Sequence, residues 1–401
     1  MTGRLFFVGI PQAHVRSSIE RAQRLGLEVV LGDRAENLER HRDLVKGADR
    51  LVVTDYTAVE TLLATARDLD AERPLSAVVT FKDAGAVPTA VVAEKFGLPT
   101  NAPEAVAAGI DKARTHQAFA DAGFPRPRWA VCPNPAALHR FVAEVGPFVV
   151  VKPLDASGSL GVRVLGPGDD LAAAYADCRA AGPDSPVLAE EKLIGREVSI
   201  EAMIHHGRPV LFGVTQKVLF PGTVVEAGHF TPDPGTELTR AEYTDVVARA
   251  AAALDLTLGA LHLEGFHTEA GFVPTEIHTR FGGDEIVAIT EAAAQCDMTT
   301  PVLAEVAGLA HEVTFGPSPG AAGVRFLVAE PGRVQAIDGV ARAAAVPGVI
   351  RVSVPVRVGD PVRPLRSSYD RAGWVTAQGA GADEVMAALD QAVRCVQIRT
   401  A

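Results

Sequence analysis

The sequence predicts a protein of mixed α/β and α+β class in three parts, and three observations carry that prediction. Short apolar runs at 5–10, 28–32, 51–54 and 77–81 alternate with helix-like stretches, the pattern of a parallel α/β sheet. From 148 to 214 the apolar runs crowd together and are divided by turns, the pattern of antiparallel strands. A joint, Gly316-Pro317-Ser318-Pro319-Gly320, then sets off a third region that runs to the last residue. A chain of 401 residues, 48% of them hydrophobic, can bury the large core that two or three domains require.

The parallel-sheet region occupies 1–100. Its first turn, Gly9-Ile10-Pro11-Gln12-Ala13, lacks the GxGxxG phosphate loop, which argues against a dinucleotide there. Asn101-Ala102-Pro103-Glu104 reads as a helix start with Asn as its cap and Pro in the first turn, marking a boundary near residue 100. A proline-rich stretch at 124–135 opens a smaller unit of about 124–195. Strands are predicted at 148–152, 162–165, 187–191, 198–204 and 210–214, with turns at Ser157-Gly158-Ser159 and His206-Gly207-Arg208. The middle region spans 101–320 and the last 321–401.

The net charge of −11 disfavours a nucleic-acid or anionic-membrane partner, since either needs a basic face to displace counterions. An anionic substrate must then meet locally placed Lys, Arg or metal. No apolar run approaches the roughly 18 residues of a membrane span, and the first residues enter a strand-like run instead of a signal peptide. Cys132, Cys178, Cys296 and Cys395 are scattered, without metal-ligand spacing or the density of a disulfide framework. A cytoplasmic location with reduced cysteines is the expectation.

The strongest constellation lies at 261–284. Glu269-Ala270-Gly271 reads as a turn, and a hairpin centred on Ala270 sets Glu264 opposite Glu276 and His262 opposite His278. Alternation then puts Glu264, Glu276, His278 and Arg280 on one face. Opposed carboxylates repel unless a cation sits between them, and oxygen donors suit magnesium or manganese bridging phosphates. Pro274 and a bulge at Gly271 are the features expected to disturb this register. Zinc hydrolysis is disfavoured, because His262 and His267 face opposite sides of a strand and no HExxH spacing is present; His262 reads as a packed or hydrogen-bonded strand histidine.

The run from Phe148 to Val162 is a buried strand, Lys152 at its end, and a small-residue loop containing Ser157, Gly158 and Ser159. Small residues let backbone amides approach phosphate oxygens, and a rim lysine supplies a point charge. The spacing is not that of a P-loop. Lys112 opens a helix-like segment over 111–122, and 188–199 joins two strands through an acidic linker.

Taken in order, these segments resemble the ATP-grasp superfamily. Lys112, ahead of Ala122-Gly123-Phe124-Pro125-Arg126-Pro127, looks like the first nucleotide lysine and the entry to the lid; Lys152 and the 157–161 loop look like the second lysine and the phosphate-covering loop. The resemblance makes Glu190, Glu191 and Leu193 part of the adenine hinge, Glu197 the ribose acid, and Glu264 and Glu276 the magnesium carboxylates. It implies an ATP-grasp fold with a Rossmann-like N-terminal parallel-sheet domain, a central lid and palm, and a C-terminal lobe.

Within the superfamily the chain is similar to carboxylate–amine ligases, including L-amino-acid ligases that make dipeptides. Their Glu-x-Asn-x-Arg motif followed by Gly-Gly reads here Glu276-Ile277-His278-Thr279-Arg280-Phe281-Gly282-Gly283, so His278 stands in place of asparagine. Glu226-Ala227-Gly228-His229 resembles the element that lines their amino-acid pocket. The resemblance implies ATP, Mg²⁺ or Mn²⁺, an acyl-phosphate intermediate, and small-molecule carboxylate and amine substrates. It assigns Arg280 and the amides of Gly282 and Gly283 to the oxyanion, Glu226 or His229 to the incoming ammonium, and Asp284 to the substrate pocket. Bicarbonate or a carrier thiol as acceptor, and a nonenzymatic nucleotide-binding module, are the competing readings. Oligomeric state stays open, a homodimer included.

Overall fold

The computed structural model describes residues 3–11, 13–154, 158–183, 185–236, 238–317 and 319–401; Gln12, Ser157 and Ser318, all within segments singled out above, lie outside the described residues. The N-terminal sheet is parallel, in the spatial order Arg50–Val53, Leu27–Asp33, Gly3–Val8, Ala77–Thr80. Side chains alternate between two buried faces: Leu5, Phe7, Val29 and Leu31 enter one apolar cluster, and Phe6, Val8 and Val30 enter another. The first cluster also holds Met203, Phe212 and Phe281 of the central region, so one core joins the two parts. The first turn carries Gly9 at φ +74, and the Ile10 N–H donates to Asp33 Oδ2 at 2.9 Å. A carboxylate of the protein thus occupies the amide that a dinucleotide phosphate would need.

Asn101 does not cap a helix. The helix Pro103–Ile110 begins after Ala102, and no side chain caps it. Instead the Asn101 amide group donates to Leu258 O at 2.9 Å and accepts from the N–H groups of Thr257 at 2.7 Å and Leu258 at 3.1 Å. It ties the domain junction to the start of the strand Gly259–Thr268, where loop backbone groups would otherwise go unmet.

The smaller unit is a four-stranded antiparallel sheet ordered Trp129–Cys132, Val187–Glu191, Val149–Pro153, Arg163–Leu165. Helices Pro135–Val145 and Leu171–Ala181 cover it around Val149, Val151, Leu138 and Phe141. The larger sheet is antiparallel and eight-stranded, in the order Gly271–His278, Gly259–Thr268, Arg196–His205, Arg208–Leu219, Glu226–Thr231, Ala321–Leu327, Gly373–Gly379, Val349–Ser353. Its last three strands come from the C-terminal region, and the first of them, Ala321–Leu327, pairs directly with Glu226–Thr231. The Gly/Pro joint therefore introduces strands of a shared sheet, not a separate layer.

The hairpin has the expected inner register: Glu264 pairs with Glu276 and His262 with His278. The irregularity lies beside Pro274, one of the two places expected, and not at Gly271. It falls between Glu264 and Gly265, where Gly265 pairs with Pro274 and Thr275 is the extra residue, while Thr268 pairs with Gly271 across the turn. A proline cannot donate to the ladder, which is the physical reason for the disturbance next to Pro274.

Replacing Asn101 with alanine leaves two N–H groups and one carbonyl of 257–258 without their partner. The expected cost is about 1–3 kcal/mol of folding stability, read as a lower urea midpoint with an unchanged slope.

Candidate active site

A cleft of about 290 Å³ lies between the smaller sheet and the hairpin end of the large sheet. It gathers Lys112, Lys152, Gly158, Ser159, Glu190, Glu191, Leu193, Glu197, Glu226, Glu264, Glu276, His278 and Arg280 from segments that are distant in sequence. Lys112 opens the helix Lys112–Asp121, whose N-cap Asp111 accepts from the amides of Ala113 and Arg114. Lys152 is the fourth residue of Val149–Pro153, aimed into the cleft while Val149 and Val151 face the core.

Glu264 and Glu276 are each held by cations. Lys217 Nζ lies 2.8 Å from Glu264 Oε2 and 2.6 Å from Glu197 Oε1. Lys152 Nζ lies 3.1 Å from Glu276 Oε1 and 3.0 Å from Glu190 Oε2, and Lys112 Nζ lies 3.6 Å from Glu276 Oε2. Burial opposes the charged carboxylates, but Lys217 and His262 at Glu264, and Lys112 and Lys152 at Glu276, more than offset it. Both acids sit well below the usual carboxylate range. Burial likewise works against the ammonium groups of Lys152 and Lys217, and the facing carboxylates raise both above the ordinary lysine value. Glu197 goes the other way, because burial outweighs Lys217 and pushes it up.

Behind this front row stands a buried support. His262 Nδ1 meets Glu201 Oε1 at 2.5 Å and its Nε2 meets Glu264 Oε1 at 3.1 Å; burial opposes the imidazolium, and Glu201 prevails and raises His262 to about 9. The expected hydrogen-bonded strand histidine is thus observed. Glu201 also accepts the Gly282 N–H at 2.8 Å. That bond corrects one expectation: the Gly282 amide is committed to Glu201 and does not face a substrate oxyanion. A Cβ at 282 would fall 2.9 Å from Glu201 Oε1 and from the His262 ring, which accounts for glycine there.

Arg280 is fixed from the N-terminal domain. Its Nε and Nη2 donate to the two oxygens of Asp83 at 2.6 and 2.5 Å, and Asp83 Oδ1 also lies 3.2 Å from His278 Nδ1. Despite burial, His278 and Arg280 hold Asp83 well below the usual range. His278 Nε2 thereby faces Glu276, 3.6 Å from Oε2. One donor atom from each of Glu264, Glu276 and His278 lies within 4.8 Å of the others. Two ionised, opposed carboxylates fit a hard divalent cation such as magnesium, with the imidazole at its edge.

Several expected residues have further partners. Glu190 turns its carboxylate inward to His116 Nε2 at 2.6 Å as well as to Lys152, Glu191 pairs with Arg128 at the surface, and Ser159 Oγ donates to Val224 O at 3.2 Å. His229, Gly283 and Asp284 lie beside the cleft instead of lining it. Asp284 is gripped by both terminal nitrogens of Arg371, at 2.9 and 2.5 Å, and lies 3.7 Å from His229 Nε2. It stands at φ +53, two residues before the helix Ile286–Ala294, so it is not a helix-start acid. Arg371 stacks 3.6 Å over the Phe326 ring and lies 3.8 Å from Glu226, which accepts from Ser368 Oγ at 2.6 Å.

Sequence reasoning missed Lys217, Asp83, Glu201, Ser368 and Arg371. Lys217 alone left a signal, a cation near the end of a largely apolar strand; the others become visible only through contacts across about 60 to 200 residues.

Residues 19–100 match the ATP-grasp N-terminal domain, 145–288 the ATP-grasp domain, and 325–401 the L-amino acid ligase C-terminal domain 2. The uncharacterized protein y4rH of Sinorhizobium fredii is 28% identical over 404 residues, covering 99% of this chain and 83% of that protein. A D-alanine–D-alanine ligase of Aromatoleum aromaticum is 35% identical over 107 residues, 27% of this chain and about a third (34%) of the ligase. The crystal structure of an L-amino acid ligase from Bacillus licheniformis superposes with a TM-score of 0.84 at 20% identity, over 100% of this chain and 99% of that one. The chain belongs to the ATP-grasp superfamily. Within it, the C-terminal lobe is similar to that of L-amino acid ligases. Among the described residues, no helix is long and apolar enough to cross a membrane.

Replacing Arg371 with methionine strands Asp284 in a largely buried setting and should cost about 2 kcal/mol or more. A double-mutant cycle with Asp284→Asn, followed by denaturant melts, should recover a coupling of at least about 1 kcal/mol; additive losses would deny the pair any joint role.

Proposed function

We propose that this protein is an ATP-dependent carboxylate–amine ligase that activates a carboxylate as an acyl phosphate and joins it to an amine, with amino acids as substrates and ADP and phosphate as by-products. One observation carries the proposal: Lys112, Lys152 and Lys217 converge on the opposed pair Glu264 and Glu276, beside the Glu226–Arg371–Asp284 cluster of the C-terminal lobe. The first group suits a nucleotide triphosphate, and the second suits a zwitterion.

Lys112 and Lys152 exchange part of their contact with Glu276 for phosphate oxygens, and the amides around Gly158 and Ser159 cover the phosphate chain. The backbone at Glu190, Glu191 and Leu193 reads the adenine edge, and Glu197 accepts from the ribose hydroxyls. Glu264 and Glu276, with His278 beside them, would hold magnesium, which would supply neutralisation of phosphate charge. The substrate carboxylate attacks the γ-phosphorus, ADP leaves, and the acyl phosphate is then open to the amine. Arg280, held in place by Asp83, steadies the oxyanion together with the Gly283 amide. Glu226 or His229 orients the ammonium and takes its proton, and Asp284 shapes the pocket wall. The substrates are small molecules, and the charge of −11 gives no footing for nucleic acid.

With an ¹⁸O-labelled carboxylic substrate, one label should appear in the released phosphate, and hydroxylamine should trap a hydroxamate when the amine is left out. AMP formation, or unlabelled phosphate, would sink the reaction class. Glu276→Ala should abolish turnover in a protein that keeps its circular dichroism, and near wild-type turnover would remove it from the metal set. Lys152→Ala should weaken nucleotide binding or turnover by about ten- to a thousandfold, the loss of one phosphate contact worth roughly 1.5–4 kcal/mol.

A further inference from the structure

A second group of metal-ligating side chains lies far from the cleft. The strand Arg196–His205 carries Glu197 at its cleft end and His205 at the other, about 25 Å away at the usual rise per residue. There the chain turns back through His206 and Gly207 into Arg208–Leu219, both turn residues having positive φ, at +49 and +73. The turn brings the two imidazoles together, their ring centroids 4.1 Å apart and their planes tilted by 39°.

Both rings point Nδ1 at one carboxylate. Glu305 is the seventh residue of the helix Thr299–Val306, which packs on the N-terminal helix Val15–Arg24. Its Oε1 accepts the His206 N–H at 3.0 Å, fixing the carboxylate against the turn. Its Oε2 lies 2.6 Å from His205 Nδ1 and 3.7 Å from His206 Nδ1, and the three donor atoms lie within 4.8 Å of one another. His205 Nδ1 and Glu305 Oε2 are both buried, yet among the described residues neither has a partner in hydrogen-bonding geometry. Two buried polar atoms that face each other without such a bond are what a shared third partner would satisfy.

We propose that His205, His206 and Glu305 form a zinc site, distinct from the cleft, that clips the 205–208 turn of the central sheet to the helix Thr299–Val306. Two imidazoles and one carboxylate are the ligand set that zinc accepts and magnesium does not favour. Ligands of a tetrahedral zinc lie about 3.3 Å apart, so the observed 2.6 and 3.7 Å straddle the required spacing, and sub-ångström shifts of the His205 and His206 rings reach it. The His206 side chain is 70% exposed, which gives the ion an entry path and leaves a fourth position for water. The position suits a structural role: the clip joins strands that carry Glu197, Glu201 and Lys217 to a helix seated on the N-terminal domain.

The test is zinc titration of the chelator-treated full chain against a chromophoric competitor, with excess magnesium to occupy the cleft carboxylates. His206→Asn is the informative variant, because asparagine tolerates positive φ and Glu305 keeps its backbone bond from residue 206. Wild-type protein should bind one zinc that His206→Asn binds at least about tenfold more weakly, and zinc should raise the wild-type Tm but not the variant's. Glu305→Gln should match His206→Asn if it folds. Equal affinity and equal Tm shift in wild type and His206→Asn, or no zinc bound by wild type, would overturn the site and leave a plain His205–Glu305 ion pair.

Discussion

Two carboxylates set directly opposite each other on a hairpin, in a cleft that water only partly enters, must be neutralised or the hairpin opens. Most of what surrounds Glu264 and Glu276 answers that demand. Lys217 comes from Arg208–Leu219, one strand beyond the neighbour of the Glu264 strand, Lys152 from the smaller sheet, Lys112 from the start of a helix and His262 from the same strand as Glu264. Lys217, Lys152 and His262 each also meet a second acid, so the charges form a lattice and not isolated pairs. Such a lattice is electrostatically costly to break at one point and cheap to rearrange as a whole. A polyanion with its counter-cation can enter by exchanging partners, with little change in the total charge that is buried.

The same exchange logic explains why the cations come from different parts of the fold. Lys152 stands on the four-stranded sheet, and Glu276 on the eight-stranded one, so their contact spans the two. The loop at Gly158 reaches further still: Ser368 N donates to Gly158 O at 3.4 Å while Ser368 Oγ donates to Glu226. One serine of the C-terminal lobe touches both the loop beside the cleft and an acid of the neighbouring cluster. The cleft and the Glu226–Arg371–Asp284 cluster thereby share a wall.

What could be read from the sequence was what local pattern encodes. The Glu264–Glu276 pairing was legible because a short turn and strict alternation leave few registers; the outer register was not, because Thr275 bulges next to a proline. Lys112 and Lys152 were legible as cations at the ends of regular elements. Asp83, Glu201 and Arg371 were not, since an acid early in a helix, an acid in a strand and an arginine in a loop have no periodic signature. Their meaning lies in partners about 60 to 200 residues away. Asn101 misled for a related reason: its side chain satisfies backbone groups at 257–258, and an Asn before a proline-led helix looks the same either way. Gly282 was recognised as part of a motif, but its packing against Glu201 and His262 is a property of the assembled core.

Asp83 deserves a last consideration. It lies at the start of the helix Asp83–Lys95 in the N-terminal domain, yet its carboxylate holds Arg280 and His278 of the central region. The boundary near residue 100 is therefore a seam in the chain but not in the chemistry. An N-terminal domain borrowed from a relative could dock its apolar face and still leave the arginine unaimed, unless it brought an acid at this one position. Modular inheritance in this architecture is constrained by a single side chain, and the two domains are expected to travel together.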